Sequence, residues 1–315
     1  MIKNQSISIV IPVFNIGISI SKLISKIPVF VDIIYLVDDL CPLKTGKKFQ
    51  EINNNHKVRF IFNEKNLGVG GAVKRGYIQA LKDSIDIIVK IDGDDQMDPE
   101  EIIDIINPLF EGYDYTKGNR FLNNQNIENY PQVRMYGNVL LSFMSKLSSG
   151  YWDLYDPING FTAIKAELLK KIELDRIDNG YYFESDMLHN LYFQSSLIKD
   201  VPVNIKYFKN KKQNLSIPKE TINFFLKNIT RCYKRLKITY FTNNFTIASF
   251  ALLTSLFSLS FSFLYGGYNF LHYSFFLKIN APTGIVMFSS NSLFLSIVFL
   301  MLFLFIDSNN NPNNK

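Results

Sequence analysis

Over the first two thirds of the chain, short runs of Ile and Val alternate with amphipathic stretches. Toward the end these give way to long, nearly unbroken apolar segments. Ser6–Val13, Ile33–Val37, Val58–Phe62 and Ile85–Ile91 have the length and composition of strands buried on both faces. Helical spacing lies between and after them, at about Ser19–Lys26, Val69–Lys82 and Pro99–Phe110. Asp98-Pro99-Glu100-Glu101 marks a helix start: a capping carboxylate, proline in the first turn, and acids facing the positive end of the dipole. This alternation predicts an α/β domain with a mainly parallel sheet and ligands beyond the carboxyl ends of its strands.

From Phe245 to Ile306, Lys278 is the only ionised side chain. Phe245–Tyr265 and Ile285–Ile306 each approach the roughly 20 apolar residues that span a bilayer. Core helices of a soluble protein would carry a polar stripe instead. The expectation is two transmembrane helices, about 245–265 and 285–306, joined by Gly266–Pro282 and followed by a disordered tail, Asp307–Lys315. No secretory signal is expected, because Ile7–Phe14 is short, contains Pro12 and lacks a cleavage site. Lys227, Arg231, Lys234, Arg235 and Lys237 precede the first span, which places residues 1–217 and both termini on the cytoplasmic side. Within 218–243, Ile222, Phe225, Leu226, Ile229, Tyr233 and Leu236 recur at helical spacing. A basic juxtamembrane helix of this kind either lies on lipid or packs on the soluble domain.

Composition adds little until it is divided. The 315 residues are 47% hydrophobic and 20% charged, and a mean hydropathy of +0.03 averages a polar domain with an apolar anchor. Disorder and low-complexity repeats are excluded. Cys41 and Cys232 make no disulfide framework, and His56, His189 and His272 have no ligand spacing. The net charge of +6 calls for an anionic partner. Its visible concentration at the membrane junction points to anionic lipid and phosphate. Aromatics are not interleaved with basic groups, so nucleic acid is not expected.

The polar residues cluster at the strand ends. They are Pro12-Val13-Phe14-Asn15, Asp38-Asp39, Asn63 with Asn66-Leu67-Gly68-Val69-Gly70-Gly71, and Asp92-Gly93-Asp94-Asp95-Gln96. Backbone N–H groups at the glycine run can meet a phosphate or a nucleotide edge, and a plain tight turn serves the same residues equally well. Asp92 and Asp94, two apart, lean to one side in extended backbone. Hard oxygen donors at a strand end suit Mg2+ or Mn2+, and general acid–base work competes for the same carboxylates.

Taken in order, Ser8–Asn15, Leu36-Val37-Asp38-Asp39, Asn66-Leu67-Gly68, Asp92–Gln96, Lys117-Gly118-Asn119-Arg120-Phe121, Gly150–Asp153, Asp156–Phe161 and Phe183-Glu184-Ser185-Asp186 resemble a family 2 glycosyltransferase. The match is closest to its dolichol- or polyprenyl-phosphate sugar synthase branch, and it covers about residues 6–217. The resemblance implies a GT-A fold, a Rossmann-like sheet flanked by helices, and C-terminal transmembrane helices suit the same branch. It places Pro12, Phe14, Val37 and Asp39 at the base and ribose of a nucleotide-sugar donor. It gives Asp92, Asp94 and Gln96 to a metal–diphosphate site and Arg120 to the diphosphate and transferred sugar. Lys212 then belongs to a loop closing over the phosphates. This chain departs from the pattern at Ile16, where an acid is usual, and at Leu40-Cys41-Pro42, which replaces Gly-Ser. The arginine before the closing loop has no clear match; Lys206, Lys209 and Lys211 are its candidates.

The chemistry expected is inverting, metal-dependent hexosyl transfer. The departing nucleoside diphosphate needs a divalent cation and basic side chains. A polyprenyl-phosphate acceptor is already ionised and needs no strong base, and Arg134, Asn138 and the Asp156–Phe161 turn are candidates for placing it. The turn residues serve equally as simple turn formers. The alternative acceptor, a hydroxyl on a lipid-linked glycan or polysaccharide, needs a base, for which Glu184 or Asp186 is the candidate. A non-catalytic membrane scaffold is the remaining alternative. The setting expected is the cytoplasmic membrane, in cell-surface glycan synthesis, and the sequence leaves self-association open.

Overall fold

The computed structural model describes residues 2–17, 20–122, 132–204 and 217–314. The chain forms two compact units, Met1–Cys232 and Tyr233–Lys315.

The first unit is built on a seven-stranded sheet. Its strands are β1 (Ile7–Val13), β2 (Ile33–Asp38), β3 (Val58–Phe62), β4 (Ile87–Lys90), β5 (Tyr115–Asn119), β6 (Thr162–Lys165) and β7 (Ile198–Pro202), in the order β3-β2-β1-β4-β6-β5-β7. Every pairing is parallel except those of β6, which runs against β4 and β5. All seven residues of β1 are buried, as expected of an apolar run covered on both faces.

On one face Ile7, Ile9, Ile11, Val89 and Ala163 pack under α1 (Ile20–Ser25), α2 (Thr45–Ile52) and the turn of α4 (Ile102–Ile106). On the other, Val10, Ile88, Tyr115, Ile164 and Ile198 pack under α3 (Val69–Lys82) and α6 (Phe183–Phe193), while α5 (Gln132–Ser149) packs beside α6. α3 has the predicted bounds. The predicted helix over Pro99–Phe110 is instead α4 between two short 3-10 turns, because Pro108 cannot continue an α-helix and Asp98 caps the entry by accepting from Glu100 N.

The chain passes through α7 (Ile217–Lys237) into the second unit. There α8 runs unbroken from Ile247 to Leu277 and α9 from Thr283 to Asn309, and each holds an 18-residue stretch of mean hydropathy 1.9 and 2.1, respectively. Both are long and apolar enough to cross a membrane. They pack through small polar residues: Ser255 Oγ donates to Ser296 O (3.0 Å) and Ser262 Oγ to Ser289 O (2.8 Å).

Two expectations are corrected. Gly266–Leu277 is helix rather than linker, with wide π-type turns, so only Lys278–Pro282 connects the helices. Asp307 is not tail but part of α9. It is fully buried, takes both Nη groups of Arg235 at 2.8 Å, and accepts from Tyr240 Oη at 2.7 Å. The chain then ends in a short 3-10 turn, Pro312–Asn314.

Candidate active site

Strand register builds the site in tiers. On the face under α6, Ile88, Ile164, Tyr115 and Ile198 lie side by side across β4, β6, β5 and β7 and belong to the apolar core. Two residues further, in the same register, come Lys90, Thr162, Lys117 and Asp200. Three members of this polar tier are buried: Lys90 and Thr162 are 1% and Lys117 0% exposed. The next step along the same alternation reaches Asp92, Gly160 and Asn119, at the mouth of the sheet.

Glu184 of α6 faces the polar tier. Lys90 Nζ lies 2.5 Å from Glu184 Oε1 and 2.8 Å from Asp92 Oδ1. Burial alone would lower the Lys90 pKa, but Asp92 and Glu184 outweigh it and keep the ammonium charged well above its usual range. A Cβ on Gly160 would collide with Asp92 Oδ2 and Lys90 Nζ, so any side chain there must displace both. The Asp92-Gly93-Asp94 turn in turn lies against β1, since a Cβ on Gly93 would sit 3.1 Å from Pro12 O. Gln96 N donates to Asp94 Oδ1 (3.2 Å), which folds the acidic turn on itself.

Arg120 follows β5 and meets Asp156 in a two-pronged ion pair, Nε to Oδ2 and Nη2 to Oδ1, both 2.7 Å. Asn159 Nδ2 adds a bond to Asp156 Oδ2 at 3.2 Å. Burial pushes Asp156 upward, yet the Arg120 guanidinium and Lys117 more than offset it and hold its carboxyl below the usual range. The Asp156–Phe161 segment is thus a turn in form and also the seat of Arg120. Lys117 Nζ is buried with no hydrogen-bond partner, and burial lowers its pKa despite Asp200 and Asp156 nearby.

Pro12 and Val37 are register partners at the carboxyl ends of β1 and β2, with Phe14 46% exposed just beyond. Asp39 lies with them, 2% exposed. Its carboxylate accepts from Asn63 Nδ2, Leu67 N and Gly68 N, each at 2.8 Å, leaving about one of its four acceptor positions for a ligand. The phosphate-cradle alternative at the glycine run is accordingly disfavoured. Gly68 N is bonded to Asp39 and Gly71 N to Asn179 O (3.0 Å), so these groups hold a turn. Leu40, at a position where the resemblance expects glycine, adopts the left-handed φ of 56°. Asp38 ties that loop by accepting from Cys41 N (2.7 Å) and Gly46 N (2.8 Å).

The two candidate bases are both engaged. Glu184 is held by Lys90, and Asp186, fully buried, is paired with Arg231 at 2.7 Å and accepts from Asp178 N at 2.8 Å. Lys212, together with Lys206, Lys209 and Lys211, lies outside the described residues, as do the side chains of Arg134 and Asn138. Among the described residues no three His, Cys, Asp or Glu side chains gather to cage an ion. The donors offered are two carboxylates and the Gln96 amide, beside the buried Asp95 Oδ1, which lacks a hydrogen-bond partner. That oxygen-only set fits Mg2+ or Mn2+, which take few protein ligands and fill the rest from water and phosphate.

Lys90 carried no role in the sequence reading, and Lys117 appeared there only as part of a motif. The available signal was a lysine at an alternate position inside an Ile/Val strand, where a charged residue is almost never buried unless paired.

Known proteins agree with this architecture. The glucosyl-3-phosphoglycerate synthase of Mycobacterium tuberculosis, solved with Mn2+, uridine diphosphate and phosphoglyceric acid, superposes with a TM-score of 0.56 at 20% identity, over 73% of this chain and 79% of that one. A dolichol-phosphate mannosyltransferase of Pyrococcus furiosus is 28% identical over 73% of this chain, which spans only 64% of that protein's length. A UDP-N-acetylglucosamine–dolichyl-phosphate N-acetylglucosaminyltransferase of Methanococcus voltae is 32% identical over 53% of this chain and 72% of its own. Residues 8–173, more than half of the sequence, match glycosyl transferase family 2, and the chain belongs to that family.

Proposed function

We propose that the protein is a membrane-bound inverting glycosyltransferase that moves a sugar from a nucleotide-sugar donor to a polyprenyl phosphate, for cell-surface glycan synthesis. The observation that carries this reading is that both candidate bases are taken up in ion pairs, Glu184 with Lys90 and Asp186 with Arg231. A hydroxyl acceptor needs a free base, whereas a phosphate monoester is already a nucleophile at neutral pH. The names of the two dolichyl-phosphate relatives support the same acceptor class.

In this reading Pro12, Phe14, Val37 and Asp39 hold the nucleoside, and Gly68 shapes the wall beside it. Asp92, Asp94 and Gln96 hold Mg2+ or Mn2+, which supplies positive charge to the departing diphosphate. Arg120, aimed by Asp156, stabilises the same charge. Lys212 is proposed to close over the phosphates. The acceptor oxygen attacks the anomeric carbon on the face opposite the diphosphate, so the configuration inverts.

We further propose that α8 and α9 span the cytoplasmic membrane, with the first unit on the cytoplasmic side. Ile222, Phe225, Leu226, Ile229 and Tyr233 of α7 are all exposed and form a stripe suited to a lipid surface. Lys234 and Lys237 are exposed too, whereas Lys227, Arg231 and Arg235 are paired with Asp178, Asp186 and Asp307.

The test incubates membranes containing the protein with labelled nucleotide sugars and polyprenyl phosphate, with EDTA and Asp94→Ala as controls. A metal-dependent, mild-acid-labile lipid product is expected. Product formed only with a glycan acceptor would favour the hydroxyl reading, and neither turnover nor donor binding would favour a scaffold.

A further inference from the structure

We propose that Lys90 is a positioning residue for the acidic turn: its ammonium anchors Asp92 through Oδ1, with Glu184 as its second counter-ion, so that Asp92 turns its other oxygen toward the cation site. The proposal rests on the cation reading given above.

Three elements converge on this ammonium. Lys90 ends β4, Asp92 begins the turn that follows, and Glu184 comes from α6, 94 residues away. The contacts of 2.5 and 2.8 Å fix the nitrogen between two carboxylates. Gly160, two residues ahead of β6, has no Cβ, and one placed there would occupy the space of both Lys90 Nζ and Asp92 Oδ2. The segment leading into the neighbouring strand is therefore shaped around this pair. Glu184 is only 6% exposed while the Asp92 side chain is 35% exposed, so one acid faces inward and the other outward. One cation between two anions leaves a net negative charge, and the more exposed carboxylate is the one in position to receive a cation. Without the lysine, two acids would face each other across the tier with neither oriented nor compensated. Glu184 then acts through Lys90 rather than as a base.

The experiment counts free Mn2+ by electron paramagnetic resonance in the full-length protein in detergent micelles. MnCl2 is titrated alone and with UDP or GDP. The wild type should bind Mn2+ and Asp94→Ala should not. Lys90→Met should bind Mn2+ about 10-fold or more weakly, the range for a group that orients a metal ligand. Lys74→Met is the control, since Lys74 is also buried but bonds Ile177 O (2.8 Å). It should bind as the wild type does. If Lys90→Met does not fold, the isosteric Glu184→Gln carries the test. Asp92 then becomes the counter-ion that Glu184 was, and the loss of one negative charge from the cluster should weaken Mn2+ binding several-fold.

Wild-type affinity in either Lys90→Met or Glu184→Gln overturns the proposal, as does tighter binding or an equal loss in Lys74→Met. Absence of Mn2+ uptake by the wild type overturns the cation reading itself and this inference with it, so the two failures are distinguishable.

Discussion

Arg120 and Asp156 face each other across the mouth of the sheet, 36 residues apart in sequence and joined by two parallel 2.7 Å bonds. A fork of this kind fixes the plane of the guanidinium as well as its position. Asp156→Asn removes the counter-charge but keeps the shape. It should destabilise the first unit by about 3 kcal/mol, since a buried pair is broken on one side. Chemical denaturation followed by tryptophan fluorescence measures this, and transferase activity should fall with it.

The same pair sets a pH dependence. Asp156 is held below the usual carboxylate range in the folded protein, so its contribution is complete above about pH 4. It is lost as pH falls through the folded value, because the unfolded chain binds the proton more readily. As pH falls below about 4, the wild type should lose stability more steeply than Asp156→Asn. Parallel slopes in the two proteins would show that Asp156 is not the titrating group.

Leu40 occupies a left-handed conformation with φ of 56°, where a side chain costs about 1 kcal/mol relative to glycine. Leu40→Gly should raise the melting midpoint of the first unit by about 2–4 °C. The Asp38 bonds to Cys41 N and Gly46 N should keep the loop in place. A lower midpoint would mean that the exposed leucine makes a stabilising contact that outweighs its backbone strain.

Gly160→Ala should force Asp92 and Lys90 apart, at a cost of about 1–3 kcal/mol in packing strain. The expected result is a folded protein by circular dichroism with transfer reduced by about 10-fold or more, in line with disturbing groups that orient a site. Unchanged kcat/KM would show that the acidic turn tolerates displacement.

In the second unit, Asp307→Asn leaves Arg235 buried beside a neutral amide. Both side chains are fully buried, and breaking such a pair costs about 3–5 kcal/mol. Thermal unfolding in detergent should report the loss, and Asp307→Glu should recover less than half of it because the longer acid cannot keep both 2.8 Å bonds.

What was legible in the sequence was whatever periodicity and strand ends encode. The Ile/Val runs placed β1 to β4, the start and end of α3 were correct to the residue, and the acids Asp39, Asp92 and Asp94 were expected at the carboxyl ends where they lie. The nearly charge-free stretch gave the two apolar helices, though not their lengths: glycine and tyrosine at Gly266–Tyr268 read as a linker, yet they continue the helix. Helix propensity is a weak prior, and an apolar run long enough to cross a bilayer must keep its backbone bonded within itself.

Only the tertiary structure decided what the charged residues do. Lys90 and Lys117 become one tier because β4 and β5 both pair with the reversed strand β6 through Thr162, a register no local pattern contains. Glu184 and Asp186 looked alike as candidate bases until packing brought Lys90 to one and Arg231 to the other. Asp307, written into a polar tail, became the buried partner of Arg235. The physical reason is the same in each case. Burial makes an unpaired charge costly, so the role of an ionisable side chain is set by its partner. Those partners lie tens of residues away along the chain.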